Sequence, residues 1–253
     1  MIWFVGAGSG AIDLITVRGQ RLLGEADCII YAGSLVNPGL LEWAKPGARC
    51  LDSSRMTLEE VIAALLAAER AGETSVRLHT GDPSLYGAIR EQMERLRDAG
   101  VSFGVVPGVS SFCAAAAAVS AEYTLPGVSQ SLIVTRMAGR TPVPEREEIS
   151  LLAAHGASMV VFLSAGLLAE LQGRLLAGAY VESTPAAIVY KASWPDEKVF
   201  RCTVGTLAAT GELHGITKTA LVLVGDFLDS PYERSKLYDP AFSTAYRKGS
   251  DAD

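Results

Sequence analysis

Strand-like and helix-like stretches alternate through the first half of this chain, and that alternation leaves few folds open to it. Residues 2–5 form an apolar run suited to a strand, 16–26 suit a helix, and 28–31 suit a second strand. Thr57-Leu58-Glu59-Glu60 has the spacing of a capping box, so a helix opens there, with Val61, Ile62, Leu65 and Leu66 facing inward and Gly72 as its stop. A strand at 74–80, a helix at 84–99 ended by Gly100, and a strand at 101–106 follow. Pro107-Gly108-Val109-Ser110-Ser111 then turns the chain into an alanine-rich helix at 112–121. A βα repeat implies a mostly parallel sheet, because parallel neighbours need a crossover between them.

The second half changes character. Apolar strands at 132–135, 159–163, 187–190, 198–203 and 220–224 outnumber helices at about 145–154, 166–177 and 206–212. Three strands with one short helix between 186 and 225 imply a mixed sheet. The expected fold class is therefore α/β: two α/β domains, the N-terminal one with a mostly parallel sheet and the C-terminal one with a mixed sheet. Their expected extents are 1–113 and 131–253, with 114–130 as the junction and the active-site cleft between the domains, where ligands commonly bind. The tail from 247 to 253 is polar and terminal, and disorder is expected there.

Composition narrows the function. A net charge of −6 on 253 residues argues against a nucleic-acid partner, which needs clustered positive charge. The four cysteines, at 28, 50, 113 and 202, have neither metal-ligand spacing nor a disulfide pattern, and the three histidines, at 79, 155 and 214, are scattered. No metal site, no membrane span and no export signal are expected, and reduced thiols suit a cytoplasmic protein.

The richest segment is Gly81-Asp82-Pro83-Ser84-Leu85-Tyr86-Gly87, at the carboxyl end of a predicted strand, where open α/β sheets bind ligands. Glycine lets a ligand approach the backbone, and proline fixes φ. Asp82 either faces a ligand or caps the helix that follows. The loop Gly6-Ala7-Gly8-Ser9-Gly10-Ala11 has two of the three glycines of a dinucleotide fingerprint, but Ala11 replaces the third and the next strand ends in Ala32-Gly33 rather than an acid. It reads as a dinucleotide loop, a tight turn, or a lining for some other ligand.

Three segments in order, Val5-Gly6-Ala7-Gly8-Ser9-Gly10-Ala11-Ile12-Asp13, Gly81-Asp82-Pro83-Ser84-Leu85-Tyr86-Gly87 and Val106-Pro107-Gly108-Val109-Ser110-Ser111, resemble motifs of the tetrapyrrole (corrin/porphyrin) methylases. Together with Ala220-Leu221-Val222-Leu223-Val224-Gly225 they span almost the whole chain. Tyr31-Ala32-Gly33-Ser34-Leu35-Val36, His79-Thr80, Gly139-Arg140-Thr141-Pro142-Val143-Pro144 and the stretch 190–198 resemble the branch that methylates precorrin-4 at C11. The resemblance implies S-adenosylmethionine as methyl donor and a tetrapyrrole precursor of cobalamin as substrate, with or without cobalt, in a homodimeric enzyme. It places the cofactor against Gly81, Asp82, Pro83, Tyr86, Ser110 and Ser111, with later contacts at Ser164, Ala192 and Ala220. An acid at the position of Ala32 and a lysine near Ser54, which uroporphyrinogen methylases carry, are absent, which argues against that substrate.

A polycarboxylate substrate on an acidic protein needs local positive charge. Arg55, Arg136 and Lys191, with Arg140 beside them, stand at predicted strand ends or in loops. His79 either touches the substrate or is a core histidine. No catalytic residue is assigned: orientation alone can contribute roughly 7–11 kcal/mol to such a transfer, so a strong base is no precondition. Two further function classes stay open at this level, methylation of protein or RNA on the same fold and a non-catalytic tetrapyrrole- or nucleotide-binding module.

Overall fold

The first half of the chain builds a five-stranded, wholly parallel sheet, one strand more than the sequence pattern suggests. The computed structural model describes residues 1–250. Its strands are Ile2–Gly6 (β1), Cys28–Tyr31 (β2), Arg49–Asp52 (β3), Ser75–His79 (β4) and Phe103–Val106 (β5), in the order β3-β2-β4-β1-β5. The unexpected strand is β3, an edge strand of four partly or fully exposed residues that lacks an apolar pattern and exists by pairing with β2.

Alternate residues of the inner strands serve opposite faces. Val5, Ile29, Val76 and Leu78 pack with Leu22 and Leu23 of Val17–Glu25 (α1). Ile2, Phe4, Cys28 and Ile30 pack with Val61 and Leu65 of Leu58–Arg70 (α2) and Leu96 of Ile89–Asp98 (α3). The capping box is present: Thr57 accepts from the Glu60 N–H at 3.2 Å, and the Glu60 carboxylate accepts from the Thr57 N–H at 2.7 Å. The helix Ser111–Ala118 (α4) follows β5.

The remainder forms a mixed sheet of Leu132–Arg136 (β6), Ser158–Phe162 (β7), Pro185–Tyr190 (β8), Lys198–Thr203 (β9) and Ala220–Val224 (β10), in the order β6-β7-β10-β8-β9. Only the β6–β7 pair is parallel. Ile149–Ala153 (α5), Leu168–Leu176 (α6) and Leu207–Leu213 (α7) join one core cluster with Met159, Val161, Ile188, Val222 and Val224. The helix α5 is shorter than expected because Glu145–Glu147 is a separate 3-10 turn and Glu148 caps α5, accepting from the Ser150 N–H at 2.8 Å.

Two compact units result: Met1–Ala115 with Lys191–Glu197, and Ala116–Tyr190 with the chain from Lys198 onward. The excursion 191–197 therefore groups with the first unit although it joins β8 to β9. The tail from Arg247 to Ser250 is not free chain: the Arg247 guanidinium donates to the carbonyls of Leu237, Asp239 and Phe242, and the Ser250 N–H donates to Pro240. The rest of the expected disordered tail, 251–253, lies outside the described residues. Among the described residues no helix is long and apolar enough to cross a membrane.

Candidate functional site

Three glycines stand where neighbouring strands end. Gly6 closes β1, while Gly81 and Gly108 lie just beyond β4 and β5, the strands flanking it. A Cβ on Gly6 would lie 2.5 Å from the Gly108 Cα and 2.7 Å from the Gly81 carbonyl oxygen, and one on Gly108 would lie 2.1 Å from that oxygen. Backbone meets backbone at this crossing, which only glycine allows. Gly81 has a left-handed φ of 60°; its N–H donates to the Gly8 carbonyl at 2.8 Å and the Gly8 N–H donates back at 3.3 Å. The other side of Gly81 is roomier, since a Cβ there would come no nearer than 3.5 Å to Ser110 Cα.

The N-terminal glycine loop serves this crossing and is not a dinucleotide loop. Such a loop must open directly into a helix N-terminus. Here Ile12–Leu14 is a 3-10 turn, and α1 starts only at Val17, with the Thr16 hydroxyl accepting from the Gly19 N–H at 3.1 Å. The loop is instead covered from within its own unit: the Ser9 and Ser193 hydroxyls are 2.8 Å apart, the Ala11 N–H donates to the Ser193 oxygen at 3.1 Å, and a Cβ on Gly10 would strike the Trp194 indole at 2.1 Å.

Asp82 fastens the loop after β4 to the loop after β5. Its Oδ2 accepts from the Gly108 N–H at 2.8 Å, and its Oδ1 accepts from the Ser84 N–H at 2.8 Å and from the Ser84 hydroxyl. Partial burial pushes the carboxyl pKa up, but the hydrogen bonds from Ser84 and Gly108 outweigh it and hold the group below its ordinary value. Asp82 is thus a cap, though of a turn and not of a helix. The helix expected from residue 84 starts at Ile89 because Tyr86 and Ala88 both adopt left-handed backbone, with φ of 56° and 49°. Left-handed non-glycine residues cost about 1–3 kcal/mol each and cluster at functional sites. Pro83 is buried, Tyr86 is exposed, Ser110 is buried beside Gly81, and Ser111 opens α4.

In the second unit the candidates gather at one end of the strands of the mixed sheet. Arg136 pairs with Phe162 and Ala220 with Tyr190, and the β7–β10 register, carried on, sets Ala220 opposite Leu163. The backbone is strained here too: Leu163 and Thr219 have φ of 53° and 56°. Ser164 is 1% exposed and its hydroxyl is engaged, donating to the Phe162 carbonyl at 2.7 Å and accepting from the Met137 N–H at 3.0 Å. Any contact it offers a ligand comes from its backbone. Ala192 belongs to the first unit: it is buried in the 191–197 loop, where Lys191 and Ser193 have φ of 47° and 65°.

The four substrate candidates differ in what they have to offer. Arg55 ends an exposed 3-10 turn, Ser53–Arg55, directly after β3. The Arg136 guanidinium donates to the carbonyls of Met137 (3.1 Å), Thr141 (3.2 Å) and Pro142 (2.7 Å), so it shapes its own loop while these neutral acceptors leave its charge in place. Lys191 is paired with Asp196 at 2.6 Å and lies 5.5 Å from the Trp194 ring centre. His79 lies in the core, 4% exposed and stacked on Phe4 at 5.9 Å; burial and the nearby Arg77 push its pKa down to about 3, so it is neutral at physiological pH.

Sequence reasoning passed over Asp52, which β3 delivers to the same edge as Tyr31 and Gly33. Its Oδ1 accepts from the Gly33 N–H at 3.0 Å and the Ser54 N–H at 2.9 Å, and the Ser53 hydroxyl donates to the Tyr31 carbonyl at 3.1 Å. Asp52-Ser53-Ser54 is a turn-forming run, and that was the signal available. Among the described residues seven non-glycines have positive φ, and all but Ser120 lie in the strand-end loops that carry the candidates. Among the described residues no group of three or more His, Cys, Asp or Glu side chains is placed to hold a metal ion.

Comparison with known proteins gives likenesses along most of the chain. The sequence model of the Tetrapyrrole (Corrin/Porphyrin) Methylases matches residues 1–208. A cobalt-precorrin-4 C(11)-methyltransferase of Methanocaldococcus jannaschii is 49% identical over 96% of this chain and 95% of its own. A precorrin-4 C(11)-methyltransferase of a Sinorhizobium species is 44% identical over 97% and 98%. Among solved structures, a cobalt precorrin-4 methyltransferase described as a cobalamin biosynthetic enzyme aligns with a TM-score of 0.88 at 46% identity, covering 90% of this chain and 95% of that one. A uroporphyrin-III C-methyl transferase of Thermus thermophilus, complexed with S-adenosyl homocysteine, aligns at 0.74 with 26% identity, covering 90% and 93%.

Proposed function

This chain belongs to the tetrapyrrole (corrin/porphyrin) methylases, and on that premise we propose that it transfers a methyl group from S-adenosylmethionine to C11 of precorrin-4 in cobalamin biosynthesis. The observation that carries the reading is near-full-length identity of 44–49% to enzymes named for this reaction. The cobalt-bearing and cobalt-free forms of the substrate are both within it, because the metal would belong to the substrate and relatives of either name are similarly close.

The residues at the strand ends suit the methyl donor. S-adenosylmethionine, when bound, supplies an electrophilic methyl on a sulfonium, so the protein's task is to position and enclose. The bare backbone of Gly81, which faces Ser110, the buried Pro83 and the small side chains of Ser110 and Ser111 provide backbone and shape rather than charge. In this reading Gly81, Pro83, Tyr86, Ser110 and Ser111 touch the cofactor, with Ser164, Ala192 and Ala220, while Asp82 sets the shape of the turn. Arg55 and Arg136 bind substrate carboxylates. Lys191 joins them by exchanging Asp196 for a substrate arm. His79, with a pKa near 3, is too weak a base to take a proton at neutral pH, so the reading leaves proton acceptance to solvent. By resemblance to its family the protein is further proposed to act in the cytoplasm as a homodimer, and its net charge of −6 supports a reading without nucleic acid.

Calorimetric titration with S-adenosylhomocysteine, with NAD as control, tests the cofactor. Saturable binding of the former alone is expected. Binding of NAD alone would overturn the reading.

A further inference from the structure

Arg77 is a cation in the wrong place for a simple core. It lies in the middle of β4, 7% exposed, on the strand face shared with His79. Its hydrogen-bond acceptors are all neutral: the Gln92 Oε1 at 3.1 Å, the Ile30 carbonyl at 3.1 Å and the Leu78 carbonyl at 3.5 Å. Burial pushes its pKa down to about 10, which leaves it charged at neutral pH. A buried charge without a counter-ion is expensive, and an apolar side chain would fill this position without desolvation. An apolar side chain would not, however, reach Ile30, Leu78 and Gln92 together.

The chain of contacts runs on from Gln92. That side chain is 5% exposed, and its Nε2 donates to the Ala88 carbonyl at 3.1 Å. Ala88 is the left-handed residue from which α3 starts, and no side-chain cap of its own holds it. Tyr86, two residues earlier, is left-handed as well. Asp82 anchors the front of this turn through Ser84 and Gly108. Its rear is anchored by Gln92, which Arg77 holds against the ends of β2 and β4.

We propose that Arg77 and Gln92 are positioning residues that keep the turn 82–88 in the conformation that receives the methyl donor, an inference that rests on the cofactor reading of that turn. Neither residue touches the donor. Arg77 fixes the Gln92 amide, and the amide fixes the Ala88 carbonyl, so the two left-handed residues do not relax into an early first turn of α3.

Gln92→Glu isolates this role. The glutamate still accepts from Arg77, now as an ion pair that preserves the core, but it offers no N–H to Ala88. Thermal stability should hold, while the dissociation constant for S-adenosylhomocysteine and the KM for S-adenosylmethionine rise about five- to tenfold, the effect of one lost hydrogen bond. The kcat at saturating donor should stay near the wild-type value. Arg77→Met, an apolar side chain of similar length, should weaken binding in the same direction. Wild-type affinity in whichever of these variants folds would overturn the proposal. Failure of the wild-type protein itself to bind S-adenosylhomocysteine would sink the cofactor reading instead, and this inference with it.

Discussion

Asp82→Asn tests whether the turn is held as described. The asparagine keeps the size of the side chain but has one acceptor oxygen where the carboxylate has two. Wild-type Asp82 accepts from Gly108 through one oxygen and from Ser84 through the other, so the variant must leave one of these donors facing an amide NH2. A hydrogen bond to a charged acceptor contributes about 1.5–3 kcal/mol, and partial solvent access lowers the loss here to about 2 kcal/mol. Urea unfolding at neutral pH reads that loss, and calorimetry with S-adenosylhomocysteine should show affinity reduced up to about tenfold. The pH dependence has a definite sign. The folded-state pKa of Asp82 lies below 3.8, so its stabilisation is complete above that value and is lost as pH falls through the folded value. The gap between wild type and variant should therefore be constant from neutrality to about pH 5 and close in stronger acid. A stability change under about 0.5 kcal/mol at pH 7, or a gap that closes as pH rises, would refute the two-loop tether.

Gly108→Ala should destabilise by about 3 kcal/mol or prevent folding, because its Cβ would sit 2.1 Å from the Gly81 carbonyl and neither backbone has room to move. Wild-type urea stability in that variant would mean the strand ends do not meet. Arg55→Ala and Arg136→Ala should each raise the tetrapyrrole KM by about tenfold while leaving S-adenosylhomocysteine binding unchanged. Unchanged kinetics in both would return these arginines to the ordinary surface.

Much of the fold could be read from local signals. The Thr57–Glu60 capping box is a three-residue relationship, and the almost unbroken apolar, buried runs of β1 and β2 belong to strands covered on both faces. What escaped depends on partners far along the chain. The strand β3 has no pattern of its own and is defined by β2. The late start of α3 follows from left-handed backbone at Tyr86 and Ala88, residue types that rarely announce it. Ser193 reaches Ser9 across 184 positions, which explains why 191–197 groups with the first unit and why no window of sequence could have shown it. In the candidate site the glycines were legible because their chemistry is local, whereas the tasks of Asp82, Ser164 and Arg136 were not, since each is settled by which distant donor or carbonyl its side chain meets.

Methyl transfer to C11 is tested by incubating the purified protein with S-adenosylmethionine bearing an isotopically labelled methyl and either precorrin-4 or its cobalt complex. One labelled methyl is expected on C11 of the tetrapyrrole, located by NMR, with an equal amount of S-adenosylhomocysteine released. Tight binding of both ligands without transfer, or a labelled methyl at any other ring position, would contradict it.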